Sequence, residues 1–178
     1  MQRVSVIGSS GAGKSSVARA LAARLGAVHI ELDAIFHQAG WTGLPVEEFQ
    51  PRVARLLEAR GWVVDGNYAA VLDLIWARAD TVIWLDPPRH VVMRRLILRT
   101  IGRLVFRRRL WNGNRERWTN LVSWDPTKSV IAWAWTQHVA QRQRYAAASA
   151  DPAWSHLHFI RLPSSHDVRA LLARVAGA

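Results

Sequence analysis

Gly8-Ser9-Ser10-Gly11-Ala12-Gly13-Lys14-Ser15 is the stretch that decides the fold, because it matches the phosphate-binding pattern G-x-x-x-x-G-K-[ST] at every fixed position. Glycines in such a loop let backbone N–H groups surround a phosphate, and the following helix adds the positive end of its dipole. Lys14 is predicted to reach the β- and γ-phosphates of a nucleotide, and the Ser15 hydroxyl to hold Mg²⁺. Only two of the 24 basic residues are lysines, and one of them stands where the motif requires it. The residues predicted to bind the nucleotide here are Gly8, Ser9, Ser10, Gly11, Ala12, Gly13, Lys14, Ser15 and Ser16.

The residues on either side of the loop predict a strand before it and a helix after it. Residues 3–7 form a short, apolar and β-branched run, which is typical of a buried strand. Residues 16–25 are rich in Ala and Leu, carry an apolar stripe and are followed by Gly26, as expected of a helix and its end. A strand, a glycine-rich loop and a helix in this order are the context that the motif requires.

The alternation of strands and helices continues to the end of the chain. Apolar strands are predicted at residues 27–30, 62–64, 81–85 and 157–162, and helices at residues 46–60, 69–78, 89–105, 127–148 and 165–175. Buried strands between amphipathic helices predict a mainly parallel sheet of about five strands that is covered on both faces. We therefore expect an α/β protein, a single three-layer α/β/α P-loop NTPase domain over residues 1–178. It would have an acceptor-side segment at about 31–60 and an Arg-rich lid at about 104–126.

The composition excludes several classes of protein. With 178 residues, half of them apolar, the chain is large enough for one folded core. It has no cysteine, which excludes a disulfide scaffold, a thiol nucleophile and a Cys-ligated metal. The first predicted strand begins at residue 3, and no apolar run approaches the roughly 20 residues that span a bilayer. We therefore expect a cytoplasmic protein with no membrane partner.

The formal net charge is +11, and its distribution points to a phosphate-bearing ligand. Ten arginines but a single acidic residue, Glu116, lie between residues 89 and 117. A compositional preference for Arg explains why so few basic residues are lysines, but it does not explain this clustering. Because guanidinium groups complement phosphates, the cluster is expected to serve the ligand of the phosphate-binding loop rather than DNA. The sequence also lacks a helix-turn-helix or any other DNA-binding module.

Arg95, Arg99 and Arg103 are spaced four residues apart and therefore share one face of the predicted helix. Phosphoryl transfer spreads negative charge over the transferring oxygens, and arginines on such a face can neutralise it. For most single arginines of this region, a solvated surface position is the competing interpretation. The polar segment that follows, with Trp111, Trp118 and Trp124 around it, resembles a mobile flap and contains Arg107, Arg108, Arg109, Arg115 and Arg117.

Three acidic residues follow predicted strands, which is where an open α/β sheet binds its ligands. Asp65 ends the apolar run 62–64, and its carboxylate is predicted to hold Mg²⁺, with a helix cap or a turn as the alternative. Asp33 follows the second strand and is predicted to bind an acceptor hydroxyl or take its proton, with an ordinary surface acid as the alternative. Asp86 precedes two prolines and is predicted to be a turn residue.

Five stretches of the sequence resemble P-loop kinases of the nucleoside-monophosphate kinase and shikimate kinase group. They are GSSGAGKSS at 8–16, ELDAIFHQAGW at 31–41, WVVDGNY at 62–68, TVIWLDPPR at 81–89 and LWNGNRERW at 110–118. Within that group the chain is most similar to the subfamily labelled adenylate kinase-like or DNA topology modulation protein. The first stretch is specific to nucleotide binding in general, and the other four are specific to this subfamily.

The resemblance implies roles for particular residues. Asp65 and the following Gly match the Asp-Gly of adenylate kinases, in which the Asp positions Mg²⁺. Arg99 and Arg103 correspond to arginines that enter the lid, Arg142 to one on the helix that leaves it, and residues 163–165 to the loop beside adenine. Adenylate kinases continue Asp-Gly with Phe-Pro-Arg, whereas this chain continues with Asn67-Tyr68. The Arg that holds the AMP phosphate is therefore missing, and the acceptor stays unidentified.

The function expected from the sequence is ATP- and Mg²⁺-dependent transfer of the γ-phosphoryl group to a small-molecule acceptor, either a nucleotide or another metabolite. Besides the loop, Arg109, Arg115 and Arg142 are expected to bind ATP. The alternative is a regulatory protein whose bound nucleotide controls a macromolecular partner or DNA, and acceptor-dependent turnover discriminates the two. The other predicted site residues are Lys14, Asp33, Arg99 and Arg103 for catalysis, Asp33, Asn67 and Tyr68 for substrate binding, and Ser15 and Asp65 for the metal.

Overall fold

The computed structural model describes residues 1–107 and 109–176, so Arg108 of the predicted lid and residues 177–178 of the predicted domain lie outside the described residues. The strands are β1 (Arg3–Gly8), β2 (Val28–Glu31), β3 (Trp62–Asp65), β4 (Thr81–Leu85) and β5 (His158–Leu162). The helices are α1 (Lys14–Leu25), α2 (Leu32–Phe36), α3 (Val46–Leu56), α4 (Ala69–Trp76), α5 (Arg89–Val105), α6 (Thr119–Val122), α7 (Val130–Ser149) and α8 (Ser165–Ala176). Short 3₁₀ turns lie at Ala39–Trp41, Trp111–Gly113 and Pro152–Trp154.

The five strands form one sheet in the order β2-β3-β1-β4-β5, and every neighbouring pair is parallel. In this register Gly8 lies opposite Leu85, and Asp65 lies between Val6 and Glu31. All strands therefore end at the same edge of the sheet. The phosphate-binding loop after β1, α2 after β2 and the segment after β3 meet at that edge, as the parallel topology requires.

Two apolar layers cover the sheet, because its strands alternate side chains between opposite faces. Val4 of β1 packs in the layer of α1 and α8, together with Leu21 and Leu171. Ile7 of the same strand packs in the layer of α3 and α4, together with Phe49. Full burial of a large apolar side chain contributes roughly 1.5–3 kcal/mol. The protein thus has the predicted three-layer α/β/α fold with a parallel five-stranded sheet.

Two helix ends differ from the sequence prediction, and side-chain capping accounts for one of them. α7 begins at Val130 rather than at residue 127, because the Ser129 hydroxyl accepts a hydrogen bond from Ala132 N at 3.3 Å and caps the helix. α3 ends at Leu56, before the predicted end at residue 60. The five-residue α2 is too short to show a helical period in the sequence. Across the described residues, the structure has no helix with the length and apolarity needed to cross a membrane.

Candidate active site

The phosphate-binding loop joins β1 to α1 and holds three glycines in conformations that other residues avoid. Gly8, Gly11 and Gly13 have φ values of 143°, 90° and 102°. A Cβ atom would lie 2.4 Å from Leu85 O if added to Gly8, and 2.8 Å from Val92 O if added to Gly11. The loop therefore packs too closely against β4 and α5 to accommodate a side chain at either position. Because α1 begins directly after the loop, its unpaired N–H groups and positive dipole end lie there as well.

The ammonium group of Lys14 contacts the backbone of its own loop. Nζ donates hydrogen bonds to Gly8 O at 2.8 Å and to Ser9 O at 3.2 Å. Burial lowers the pKa of Lys14 from its ordinary value of 10.5 to about 8, against the opposing effects of the nearby Asp33 and Asp65 carboxylates. The amino group is therefore mostly protonated at neutral pH. The carboxylates of Asp33 and Asp65, both predicted site residues, lie close enough to act electrostatically on the Lys14 ammonium group.

Asp65 ends β3, and its carboxylate is buried beside the loop. Its Oδ1 lies 3.1 Å from Nε2 of His29 on β2, a contact that the sequence analysis did not predict. The Ser15 hydroxyl makes no hydrogen bond within the described part of the chain. A carboxylate and a free hydroxyl are the hard oxygen ligands that Mg²⁺ prefers, so these two side chains fit the ion. No group of three or more His, Asp and Glu side chains among the described residues could hold a metal.

Asn67 follows β3, and its side-chain amide pairs with the backbone of Gly8 in both directions. Nδ2 donates to Gly8 O at 2.5 Å, and Oδ1 accepts from Gly8 N at 3.4 Å. The Gly8 carbonyl therefore accepts hydrogen bonds from both Lys14 and Asn67. This contact puts Asn67 against the phosphate-binding loop, and its predicted role in acceptor binding stays a prediction.

Asp33 of α2 belongs to a hydrogen-bonded group with Tyr68 and His37. The Tyr68 hydroxyl donates to Asp33 Oδ1 at 2.6 Å and lies 3.3 Å from His37 Nε2. Burial and the neighbouring Asp33 raise the pKa of Tyr68, so the phenol keeps its proton. Burial lowers the pKa of His37 against the opposing effect of Asp33, so the imidazole is neutral at pH 7. Two predicted acceptor-binding residues, Asp33 and Tyr68, are thus in direct contact.

Residues 110–118, which we call the lid tip, dock on residues 34–41 of the acceptor-side segment through two asparagines. Asn112 Nδ2 donates to His37 O at 2.6 Å. The buried Asn114 donates to Gln38 O at 2.8 Å and accepts from Trp41 N at 3.0 Å. Because both side chains bind backbone groups of a distant segment, the lid tip is held closed over the acceptor side of the site.

The docked segments hold two non-glycine residues in the left-handed backbone region. Trp41 and Asn112 have φ values of 64° and 52°. This conformation costs of order 1–3 kcal/mol for a bulky residue such as Trp41, whereas Asn adopts it more readily. Contacts across the interface offset this cost, since Trp41 Nε1 donates to Arg115 O at 2.9 Å and Arg117 donates to Gly40 O at 3.3 Å.

Arg99 and Arg103 of α5 have different surroundings. Burial and then the nearby Arg103 lower the pKa of Arg99 to about 10, while Glu116 and Asp33 oppose this shift. Arg99 as a whole residue is exposed, so this burial is partial. Arg103 instead donates to Glu116 Oε2 at 3.2 Å, and its guanidinium lies 5.6 Å from the centre of a Trp111 ring. Arg99 therefore faces the site, and Arg103 holds the lid tip.

A cleft of about 510 Å³ opens along the phosphate-binding loop between α5 and α8. Arg95 lies across it, with one guanidinium nitrogen 3.3 Å from Ala12 O and another 2.8 Å from Ser165 Oγ. Ser164 and Ser165, in the loop predicted to lie beside adenine, line the same cleft. Arg95 connects this loop to the phosphate-binding loop, whereas its spacing in the sequence predicted only that it shares a helix face with Arg99 and Arg103.

The remaining arginines predicted to bind the nucleotide lie in two places. Arg109 and Arg115 are exposed and face each other across an antiparallel bridge in the lid. Arg142 of α7 donates to Asp86 Oδ2 at 3.0 Å, and Arg161 Nε donates to the same oxygen at 2.8 Å. Asp86 is therefore more than the predicted turn residue: its side chain is only 4% accessible and anchors two arginines. The contacts of these arginines with phosphate stay predictions.

Sequence reasoning missed His29, His37 and the two lid asparagines. The Asn-Gly-Asn at residues 112–114 does signal a tight turn, because Asn and Gly tolerate the left-handed region. It gives no indication of the partner segment more than 70 residues away. The histidines lacked any signal, since neither shows metal-ligand spacing in the sequence.

Comparison with solved structures supports the P-loop kinase fold, at sequence identities that bear on the fold alone. Shikimate kinase from Acinetobacter baumannii in complex with shikimate has a TM-score of 0.58 and 15% identity, with coverage of 98% of this chain and 90% of that one. A gluconokinase from Sinorhizobium meliloti 1021 has a TM-score of 0.52 and 19% identity, with coverage of 99% of this chain and 94% of that one. Shikimate kinase from Bacteroides thetaiotaomicron has a TM-score of 0.52 and 15% identity, with coverage of 99% of this chain and 96% of that one.

Comparison at the sequence level identifies the family of the chain. No curated protein matches the chain at a significant level. A protein-family profile described as an AAA domain matches residues 4–151, from the first strand to the end of α7. Because this match covers most of the 178 residues, the chain belongs to that AAA-domain family.

Proposed function

We propose that the protein is an ATP- and Mg²⁺-dependent phosphotransferase that moves the γ-phosphoryl group of ATP to a small-molecule acceptor. The observation that carries this proposal is the position of Asp33. Its carboxylate acts electrostatically on Lys14 of the phosphate-binding loop, on Arg99 of α5 and on Tyr68 beyond β3. A phosphate-binding loop, a carboxylate that can accept a proton and a basic lid thus share one edge of the sheet.

Phosphate binding would fall to the loop and to the arginines around it. Backbone N–H groups of the loop and the N-terminus of α1 would contact the β-phosphate, and Lys14 would bridge the β- and γ-phosphates. Arg99 faces the same region and would neutralise charge that develops on the γ-phosphoryl oxygens. Arg103, Arg109, Arg115 and Arg142 are proposed as further contacts made when ATP is bound.

Ser15 and Asp65 would hold Mg²⁺ together with the nucleotide phosphates. The ion would supply charge neutralisation at the phosphate oxygens. His29 supports this role, because its Nε2 lies 3.1 Å from Asp65 Oδ1 and restrains the carboxylate. Asp65 would then present its second oxygen to the site.

Asp33 would orient the acceptor and take its proton. As the acceptor oxygen attacks the γ-phosphorus, the bond to the β–γ bridging oxygen breaks and ADP leaves with that electron pair. The acceptor hydroxyl gives its proton to the Asp33 carboxylate, from which water can remove it after product release. Tyr68, and Asn67 beside the loop, complete the proposed acceptor side, and the docked lid tip excludes competing water.

The test is ADP formation from Mg-ATP with and without fractions of a small-metabolite extract. Wild type is compared with Lys14→Ala and with Lys128→Ala, a matched control that removes the exposed lysine beside Asp125. The proposal expects one fraction to stimulate wild type and Lys128→Ala but not Lys14→Ala. Stimulation that survives in a folded Lys14→Ala variant would contradict the proposed role of the loop.

A second candidate function is a nucleotide-dependent switch that controls a macromolecular partner. The composition of the lid favours it, because exposed arginines and exposed aromatic side chains lie close together in the sequence there. ATP binding without stimulation by any fraction would favour this switch over the phosphotransferase. The side chains concerned are Arg107, Arg109, Arg117, Trp118 and Trp124.

A further inference from the structure

A continuous chain of contacts runs from the lid tip to the Asp33 carboxylate. Trp111 of the lid tip stacks on the His37 ring, with centroids 5.8 Å apart and an angle of 26° between the planes. Asn112 holds the carbonyl of the same histidine at 2.6 Å. His37 Nε2 lies 3.3 Å from the Tyr68 hydroxyl, which donates to Asp33 Oδ1 at 2.6 Å. These contacts connect three segments of the protein: the lid tip, residues 33–37 and Tyr68 after β3.

The protons in this chain have one consistent arrangement. Tyr68 has a single hydroxyl proton, and it lies on the short hydrogen bond to Asp33. The hydrogen between Tyr68 and His37 must therefore belong to His37 Nε2, so the neutral ring carries its proton there. Nδ1 is then a lone-pair acceptor, and it is buried without a hydrogen-bond partner among the described residues. The tautomer of His37 is thus set by the carboxylate that Tyr68 binds.

The His37 ring contacts aromatic residues on both sides of the interface between the lid tip and the acceptor-side segment. Its ring meets Trp41 edge-on at 5.2 Å and Phe36 at 5.3 Å on the acceptor side, in addition to the stacked Trp111. Removing the lid tip would expose the ring and free its backbone carbonyl. The position of His37, and through it that of the Tyr68 hydroxyl, therefore depends on whether the lid tip is docked.

We propose that His37 and Tyr68 are positioning residues that transmit the docking of the lid tip to the Asp33 carboxylate. This inference rests on the proposed function, in which Asp33 accepts the proton of the acceptor. With the lid tip docked, Tyr68 holds Asp33 in one orientation. With the lid tip released, the carboxylate loses this restraint, so proton transfer to Asp33 is favoured only in the closed site.

The first test uses ¹⁵N-histidine NMR of the protein alone, with the His37 signal assigned by its loss in His37→Gln. We expect the Nε2–H tautomer and a pKa below the ordinary value in wild type, because burial lowers it. Trp111→Ala should raise the pKa of His37 towards 6.5, whereas Trp124→Ala, which removes a lid tryptophan that is 80% exposed, should leave it unchanged. An Nδ1–H tautomer, or no response to Trp111→Ala, would overturn the proposal.

A second NMR comparison tests the link through Tyr68. Asp33→Asn should lower the pKa of His37 further, because the carboxylate raises it in wild type. The titratable groups that face His37 are Asp33 on α2 and Tyr68 after β3. In a Tyr68→Phe background the charge of Asp33 still acts through space, but His37 should lose its tautomer preference. An unchanged Nε2–H tautomer in Tyr68→Phe would mean that Tyr68 does not connect the two groups.

A turnover measurement separates positioning from a merely structural role. With the metabolite fraction that stimulates ADP formation, Tyr68→Phe should lower kcat at least tenfold and leave the KM for ATP unchanged. Trp111→Phe, which keeps an aromatic ring against His37, should retain more of kcat than Trp111→Ala. A kcat that is unchanged in Tyr68→Phe would reject the proposal even if the NMR coupling were found. Failure of every fraction to stimulate wild type would instead count against the proposed function, and the NMR result would then decide the coupling.

Discussion

The side-chain amide of Asn67 forms two hydrogen bonds with Gly8, one to its carbonyl and one to its N–H. The amide nitrogen donates to the Gly8 carbonyl at 2.5 Å, and the amide oxygen accepts from the Gly8 N–H at 3.4 Å. Gly8 has a φ of 143°, and its carbonyl also accepts a hydrogen bond from the ammonium group of Lys14. The segment after β3 therefore helps to set the shape of the phosphate-binding loop at its first residue.

Substitution of Asn67 should weaken nucleotide binding. We expect Asn67→Ala to raise the Kd for Mg-ATP about tenfold, the effect of losing about 1.4 kcal/mol of hydrogen bonding. Asn67→Asp should be worse, because a carboxylate would face the Gly8 carbonyl and the bound phosphates. Isothermal titration calorimetry measures both. Gln50→Ala, which removes a comparable amide bond to Ala70 O on α4, is the control and should bind normally. A normal Kd in Asn67→Ala would restrict Asn67 to its predicted role in acceptor binding.

Opening of the lid tip should be controlled by Asn114. Its side chain is 5% accessible and bonds the backbone of both Gln38 and Trp41, so Asn114→Ala removes two hydrogen bonds and leaves Trp41 N and Gln38 O only the bond that they make with each other. Such a loss costs about 1–3 kcal/mol, which corresponds to an increase of at least about fivefold in the population of the open lid. Limited trypsin digestion should therefore cut at the lid arginines at least about fivefold faster.

The matched control for this digestion is Gln137→Ala, which truncates an exposed amide side chain on α7. Its digestion rate should equal that of wild type. Equal rates in Asn114→Ala and wild type would show that other contacts, such as Trp41 Nε1 on Arg115 O, hold the lid tip without Asn114.

The sequence was sufficient for features that local patterns encode. Glycine spacing around Lys14 predicted the loop, and apolar runs predicted all five strands, because each signal lies within a few residues. The position of Asp33 after β2 also placed it at the ligand-binding edge of a parallel sheet. These features need no knowledge of distant contacts.

Contacts between distant segments could not be predicted in this way. Asn112 meets His37 across 75 positions, and His29 meets Asp65 across 36, and no local pattern encodes either pair. Asp86 shows the same limit, since its two prolines suggested a turn while its arginine partners lie on α7 and β5. The lid tip and the support of the acidic residues are therefore findings of the structure.

The pKa of Lys14 should make the stability of the protein depend on pH. Burial lowers this pKa to about 8 in the folded state, against an ordinary value of 10.5. Between these values the unfolded chain binds the extra proton, so folding gains stability as pH rises. Relative to Lys14→Met, wild type should gain free energy of unfolding from about pH 8 to pH 10.5, with a limiting slope of about 1.4 kcal/mol per pH unit.

Denaturant unfolding of both proteins at several pH values measures this difference. The comparison cancels the titration of every group that the two proteins share. Below pH 8 the difference should be constant, with Lys14→Met the more stable variant, because burial of the ammonium group then carries its full cost. A constant difference from pH 7 to pH 10.5 would mean that Lys14 titrates as an ordinary exposed lysine.

Arg95 should contribute to nucleotide binding through a contact that its spacing with Arg99 and Arg103 did not predict. Its guanidinium bonds Ala12 O of the phosphate-binding loop and Ser165 Oγ of the loop after β5, and it lines the cleft of about 510 Å³ between them. We expect Arg95→Ala to raise the Kd for Mg-ATP about tenfold, since both walls of the cleft lose a hydrogen bond to a charged group. Arg94→Ala is the matched control, because it removes an exposed arginine one position away that does not line this cleft. Equal effects in the two variants would assign the loss to overall charge, whereas an effect confined to Arg95→Ala identifies the cleft as part of the nucleotide site.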